Sequence, residues 1–563
     1  MVRETQFSWE KQYDSGISWG ADLMQTPVEV VLQRTVEKFP DRPAFDFLGA
    51  RLTWSQIGFG VDQLANGLQA KGLGKGDRVG LLLPNCPYYL QAYYAILKTG
   101  ATVVNLNPLY SAEELAHLIE DSELTRIITL DLAMMFDKVQ PMLASTCLEE
   151  IIVCPFAHAL PFPKRQLFCW FKGKEIANVH YTRRIIALED VISAGQGHVW
   201  QDVDIDPVND IALFQYTGGT TGLPKAAMLT HENIVANAQQ CKLWFREIRE
   251  GQQRMLAVLP FFHVFSMTVI MNLSVLCGLE IIALPRFDLE QTLKAIDKKK
   301  PHLFPAVPAI YSAINASPKA RKYNLSSLLY CIAGGAPLPQ EVKKAFETKT
   351  GCTLIEGYGL TESSPVVCAN PLQGENVDGS IGLPFPQTIV EIVNPENHDE
   401  IMPTGERGEL CIRGPQVMKG YWNKPDATRE TLQNGRLHTG DIAIMDERGY
   451  VFIVDRIKDM IITNGYNVYP RNIEEAIYKH PAVHECIVAG LPDKQRGEIV
   501  KAWVKLKDGR SLSAEDLKAF LKDKLSPMEV PRRYEFRDED LPKTLIGKLS
   551  RKDIVAQELE KKS

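Results

Sequence analysis

Short apolar runs alternate with longer stretches of helical periodicity through the first four-fifths of the chain. RVGLLL precedes YYLQAYYAILKTG, ATVVNL precedes AEELAHLIEDS, and TRIITL precedes MMFDKVQPML. Near-continuous apolar strands followed by helices predict parallel sheets covered by helices. From Ser380 to Val454 the pattern shifts to short strands punctuated by Gly, Pro and Asn (TIVEIV, GELCIRG, IAIMDERGYVFIV), predicting a smaller, more antiparallel subdomain. Beyond Asp455 the chain reads as a compact unit: a helix at NIEEAIYKHP, strands at ECIVAGLP and VKAWVKL, and a helix at SAEDLKAFLKDKL. The expected fold is α/β. A large N-terminal domain spans 1–455, with a β-rich subdomain at about 380–455, and a small mobile α+β C-terminal domain spans 456–563.

Two segments complicate this pattern. Met255 to Pro285 is apolar almost throughout and long enough for a membrane span. Pro260, His263, Asn272 and Gly278 interrupt it, however, and IIAL reads as a buried strand after a buried helix. Pro161 to Arg184 interleaves six Lys or Arg residues with Phe162, Phe168, Trp170, Phe171 and Tyr181, against one Glu. Such a segment is either a solvated loop with a few packed rings or a dock for an anionic membrane surface.

The 563 residues carry a formal net charge of -6, which gives no overall basic field and makes nucleic acid an unexpected partner. Eleven cysteines without CxxC spacing suggest neither zinc nor a disulfide framework, and read as reduced, mostly buried thiols. The charged first thirty residues contain no signal-peptide core, so a cytoplasmic protein is expected, peripheral at most on the inner face of the membrane.

The candidate chemistry begins at YTGGTTGLPK (216–225), behind the apolar run IALF. Gly218, Gly219 and Gly222 let backbone N–H groups turn toward an anion, and Thr217, Thr220 and Thr221 add hydroxyl donors, which suits a polyphosphate. The spacing is not that of a P-loop, because Lys225 follows Pro224 and precedes Ala226. Thr230 is placed to cap a helix beginning near His231.

YTGGTTGLPKAAMLTH, GYGLTESS (357–364), LHTGD (437–441), DRIKDMIITNGYNVYP (455–470) and PKTLIGK (542–548) follow one another in this order. Together they resemble the signature segments of the adenylate-forming superfamily of acyl-CoA synthetases, adenylation domains and luciferases. NPLYSAEELAHLIEDS and the stretch from Asn434 to Pro470 most resemble bacterial long-chain fatty acid-CoA ligases.

The resemblance implies a two-step reaction with ATP, Mg2+ and coenzyme A: a fatty acid is adenylated with release of pyrophosphate, then transferred to the thiol with release of AMP. It implies that Tyr216, Thr217, Gly218, Gly219, Thr220, Thr221, Gly222 and Lys225 hold the β- and γ-phosphates. Thr361 would donate to the α-phosphate and Glu362 bind magnesium. Tyr358 would stack on adenine beside the turn Gly334, Gly335, Ala336 and Pro337, while Asp441 accepts from the ribose hydroxyls and Arg456 makes a second ribose or phosphate contact. Lys548 matches the lysine that bridges carboxylate and α-phosphate, Lys458 a hinge, Gly465 and Tyr466 the pantetheine approach, and His263 a position beside the acyl carboxylate.

Singly, each of these residues also has an ordinary structural use. One departure is Arg436 after Asn434-Gly435, where an aromatic is usual. A medium-chain or aromatic acid, a carrier-protein phosphopantetheine as acceptor and a homodimer are left open, while a non-catalytic fatty-acid-binding or transport role is disfavoured because Glu362, Asp441, Arg456 and Lys548 are all present.

Overall fold

The computed structural model describes residues 7–217, 224–463, 466–493, 496–543 and 549–561. Two large sheets carry the N-terminal part. In an eight-stranded sheet, Ile185–Ala187, Glu150–Cys154, Arg126–Leu130, Arg78–Leu82, Thr102–Asn105 and Ile211–Thr217 run parallel. Lys225–Thr230 and Gly420–Tyr421 continue it antiparallel. In a nine-stranded sheet the central strands are again parallel, from Thr353–Gly359 through Tyr330–Ala333, Leu303–Ala306, Arg254–Ala257 and Glu280–Ala283 to Pro43–Phe47.

The helices sit where the patterning put them, at Pro87–Lys98, Ala112–Ser122 and His231–Trp244. The last starts at Thr230, whose hydroxyl accepts the Asn233 N–H at 3.2 Å. The apolar stretch from 255 folds into a strand, a buried helical passage from Val264 to Cys277 and the strand Glu280–Ala283. Among the described residues no helix is long and apolar enough to cross a membrane.

A six-stranded antiparallel sheet (Ile389–Asn394, Asn397–Ile401, Gly408–Arg413, Leu432–Gln433, Arg436–Met445, Val451–Arg456) forms the β-rich subdomain. The α+β C-terminal unit packs helices Pro470–Tyr478, Ala514–Leu521 and Arg551–Glu560 on a five-stranded sheet. The main core ends at Val451, and separate apolar clusters begin at Ile461.

Residues 164–172 form a helix rather than a loop, with no buried residue. Phe168 packs on Phe156 with ring centres 5.0 Å apart, while Phe162, Trp170 and Phe171 are 83%, 78% and 81% exposed. All cysteines are free thiols, and all but Cys147 and Cys169 are buried.

Candidate active site

Strands Ile211–Thr217 and Lys225–Thr230 bring Thr217 opposite Lys225 at the mouth of the glycine-rich segment. Gly218, Gly219, Thr220, Thr221 and Gly222 lie outside the described residues. Strand alternation turns Tyr216 away from Thr217. Its buried hydroxyl donates to Asp121 Oδ2 at 2.9 Å, with the Leu118 carbonyl at 3.3 Å, tying the strand to helix Ala112–Ser122.

Lys225 Nζ stands 5.1 Å from the centre of the Tyr421 ring, and the Tyr421 hydroxyl donates to Glu362 Oε1 at 2.6 Å. One ring therefore holds the loop's cation and the magnesium candidate together. Tyr421 was not among the residues expected at the site. Its partners lie 196 and 59 positions away along the chain; pairing of Tyr421 with Ala227 across the sheet edge brings it near Lys225, and the bond from Met418 to the Glu362 carbonyl brings it near Glu362.

Thr361 and Glu362 sit on a single turn, Thr361–Ser363, at the end of strand Thr353–Gly359. The strand's last residue must be glycine, since a Cβ at Gly359 would lie 2.0 Å from the Pro365 carbonyl oxygen. The Met418 N–H donates to the Glu362 carbonyl at 2.8 Å, and the Thr268 hydroxyl to the Ser364 carbonyl at 2.6 Å. The turn is thereby fixed from both sides. A carboxylate and a hydroxyl on consecutive residues make an all-oxygen donor set, which fits a hard divalent cation such as magnesium.

On the other side of this turn the Tyr358 hydroxyl donates to Asp441 Oδ2 at 2.5 Å, and Arg456 Nε lies 3.1 Å from Asp441 Oδ1. Asp441 and Arg456 face each other in register on neighbouring strands. Burial and the Asp441 charge hold the Tyr358 phenol well above its ordinary range. Lys458, on the turn Ile457–Asp459, is half-buried, and its ammonium is pushed down by burial and by Arg456. Asp459 and, more weakly, Asp441 and Glu362 oppose that shift.

The turn Gly334 to Pro337, with Ala336 between, follows strand Tyr330–Ala333. The Gly334 N–H donates to the Ala306 carbonyl, and the Phe265 ring lies against Gly334. Phe265 also donates its N–H to His263 Nδ1 at 3.3 Å, so His263 caps the buried helical passage close to this turn. Behind it, Asn85 and Tyr89 hold the backbone of the LPFF segment: Phe261 N–H donates to Asn85 Oδ1 at 2.7 Å, and the Tyr89 hydroxyl reaches the Phe261 carbonyl at 3.0 Å.

Gly465 and Lys548 lie outside the described residues, and Tyr466 begins the short strand Tyr466–Val468. Lys543 and Leu549, which flank the Lys548 segment, form an antiparallel bridge. Three residues past Lys548, Arg551 reaches Glu474 at 2.6 Å, Asp459 at 2.9 Å and Asp455 at 3.8 Å, and donates to the Val488 carbonyl at 3.1 Å.

Arg436, the departure from the usual aromatic, is buried. It pairs with Glu391 at 2.6 Å and donates to the His398 carbonyl at 3.2 Å, a polar substitute for a packed ring inside the antiparallel sheet.

Hydroxyls and cations converge on two carboxylates beside a small α+β unit, an arrangement whose charges suit a polyphosphate and a divalent cation. The chain belongs to the AMP-binding enzyme family, which it matches over residues 32–422, and residues 472–548 match the AMP-binding enzyme C-terminal domain. It is 44% identical over 558 residues, 99% of each chain, to the long-chain-fatty-acid–CoA ligase of Bacillus subtilis (strain 168). The ATP-bound structure of MatB from Rhodopseudomonas palustris superimposes with a TM-score of 0.81 at 26% identity, covering 94% of this chain and 99% of that one. The o-succinylbenzoate-CoA synthetase MenE of Bacillus subtilis, in complex with ATP and magnesium, gives 0.75 at 25% identity, covering 93% and 98%.

Proposed function

We propose that this protein is an AMP-forming long-chain fatty acid–CoA ligase. The observation that carries the reading is the Thr361–Glu362 turn, set between the pairs Tyr421–Glu362 and Tyr358–Asp441 with Lys225, Arg456 and Lys458 as the surrounding cations. A fatty carboxylate attacks the α-phosphorus of ATP, the bond to pyrophosphate breaks, and the acyl-adenylate forms. The thiolate of coenzyme A then attacks the acyl carbonyl, and AMP leaves. The first step needs no general base because a carboxylate is already a nucleophile. It needs positive charge and aligned donors where two anions meet.

Thr217, Lys225 and the glycine-rich segment 218–222 hold the leaving pyrophosphate. Thr361 donates to the α-phosphate, and Glu362 with Thr361 would hold magnesium, which neutralises phosphate charge. Tyr358 presents its ring face to adenine while its hydroxyl sets Asp441 to receive the ribose, with Arg456 behind. The Gly334 to Pro337 turn walls the nucleotide, and His263 borders the acyl carboxylate. The boundary between a 1–455 domain and a mobile 456–563 domain falls at 455/456, and Lys458 just beyond it is the hinge. Swinging about it would replace Lys548 at the site by the pantetheine approach beside Gly465 and Tyr466.

Thioester formation should depend on acid, MgATP and coenzyme A. Each further methylene buried should raise kcat/KM about fourfold until the acyl tunnel is full, from ~0.8 kcal/mol per CH2. A chain-length series with pyrophosphate and thioester readouts checks this. Activity confined to short or aromatic acids, or thioester formed only on a carrier protein, would displace the reading.

The exposed helix Lys164–Lys172 fits the surface on which such a substrate partitions. Trp170, Leu167 and Phe171 share one side of it, and Lys164, Arg165 and Lys172 supply the cations. Replacing Trp170 and Phe171 by Ala should weaken sedimentation with phosphatidylglycerol vesicles roughly tenfold while leaving activity on detergent-dispersed acid unchanged. Unchanged vesicle binding would remove this role.

A further inference from the structure

We infer that Glu409 and His438 are positioning residues that hold the Thr439-Gly440-Asp441 turn in the geometry the nucleotide ribose requires. The inference rests on the assignment of Asp441 as the ribose acceptor.

Strands Gly408–Arg413 and Arg436–Met445 pair antiparallel, with Cys411 opposite His438 and Glu409 opposite Ile442. Between those rungs three residues, Thr439, Gly440 and Asp441, stand opposite the single residue Leu410. The strand bulges here, and the bulge projects Asp441 toward Tyr358 and Arg456. Gly440 carries it with φ +71, a left-handed conformation suited to glycine.

A bulge removes ladder partners from the backbone, and these are replaced one by one. The Gly440 N–H donates to Glu409 Oε1 at 2.9 Å, and the Asp441 N–H to the Thr439 hydroxyl oxygen at 3.1 Å. The Thr439 hydroxyl in turn donates to the Leu410 carbonyl at 2.7 Å. Glu409 is 5% exposed, so its charge needs partners on both oxygens; Oε2 lies 2.7 Å from His438 Nδ1. With the carboxylate accepting, Nδ1 carries the proton. Nε2 is buried with no hydrogen-bond partner among the described residues, and the ring lies against that of His398 at 4.5 Å between centres. The chain of contacts therefore runs from His438 through Glu409 to the peptide N–H that precedes Asp441. A shift of the Glu409 carboxylate moves the ribose acceptor's backbone directly.

His398, Glu409 and His438 also bring one ligand atom each within 4.8 Å of one another. Both Glu409 oxygens are already engaged by Gly440 and His438, which favours a hydrogen-bonded strut over a metal centre.

The test compares His438→Leu, His438→Asn and Asp441→Asn in the full chain, with KM measured separately for ATP, fatty acid and coenzyme A and with the Tm of each variant. His438→Leu should raise the KM for ATP about tenfold and move the other two less than about twofold. His438→Asn, which restores a donor near the Nδ1 position, should bring the ATP KM back to within about threefold of the parent. An unchanged ATP KM in His438→Leu, or an equal rise in all three KM values with a Tm loss that His438→Asn shares, overturns the inference. Stoichiometric Zn2+ retained by the parent after dialysis and lost in His398→Ala would make the cluster a metal centre and overturn it too. Asp441→Asn with a normal ATP KM would instead remove the ribose assignment itself.

Discussion

Lys548→Ala should lower adenylate formation by at least about 10²–10³-fold, the scale of losing one charged or hydrogen-bonding group preorganised at a transition state. Thioester formation from supplied acyl-AMP should stay within a few-fold of the parent. The asymmetry follows from the charges: in the first half-reaction a carboxylate approaches a polyphosphate, whereas in the second the thiolate meets an already activated carbonyl. Pyrophosphate exchange measures the first step and thioester release from acyl-AMP the second. Equal loss in both would mean that Lys548 supports the C-terminal unit rather than the adenylation transition state.

Arg551→Met should destabilise the C-terminal unit by about 3 kcal/mol, because breaking a buried ion pair by removing one partner strands the other charge. Here three carboxylates share the guanidinium. Burial pushes the Glu474 and Asp455 carboxyls up, and Arg551 is the first group that opposes this in each. Burial alone would lower the Arg551 guanidinium, but Glu474, Asp455 and Asp459 raise it above its ordinary value. Hydrogen exchange over strands Val483–Asp493 and Gly497–Leu506 reports the loss. Protection equal to the parent's would show that water already satisfies these carboxylates.

Legibility in the sequence followed the range of the interactions. Strands such as Arg126–Leu130 and helices such as Pro87–Lys98 are decided by periodicity within a dozen residues, and the cap on Thr230 by a neighbour three residues on. The Glu362 and Asp441 candidates came from short ordered segments. What escaped were partners joined by tertiary structure: Tyr421 between Lys225 and Glu362, and Glu409 under the turn that bears Asp441. No local pattern in KGYW or GELC marks such a pairing. Arg436 read as a blemish on the resemblance, and its buried partner Glu391 lies 45 positions away. The segment around Trp170 stayed ambiguous because a mostly exposed amphipathic helix has the composition of a loop with rings.

Asp441 and Arg456 occupy one rung of the antiparallel ladder, and Lys458 comes two residues later. With the proposed pivot at Lys458, Asp441, the proposed ribose acceptor, and the strand that bears it lie on the stationary side. On that proposal the ribose acceptor keeps its place in both positions of the C-terminal unit.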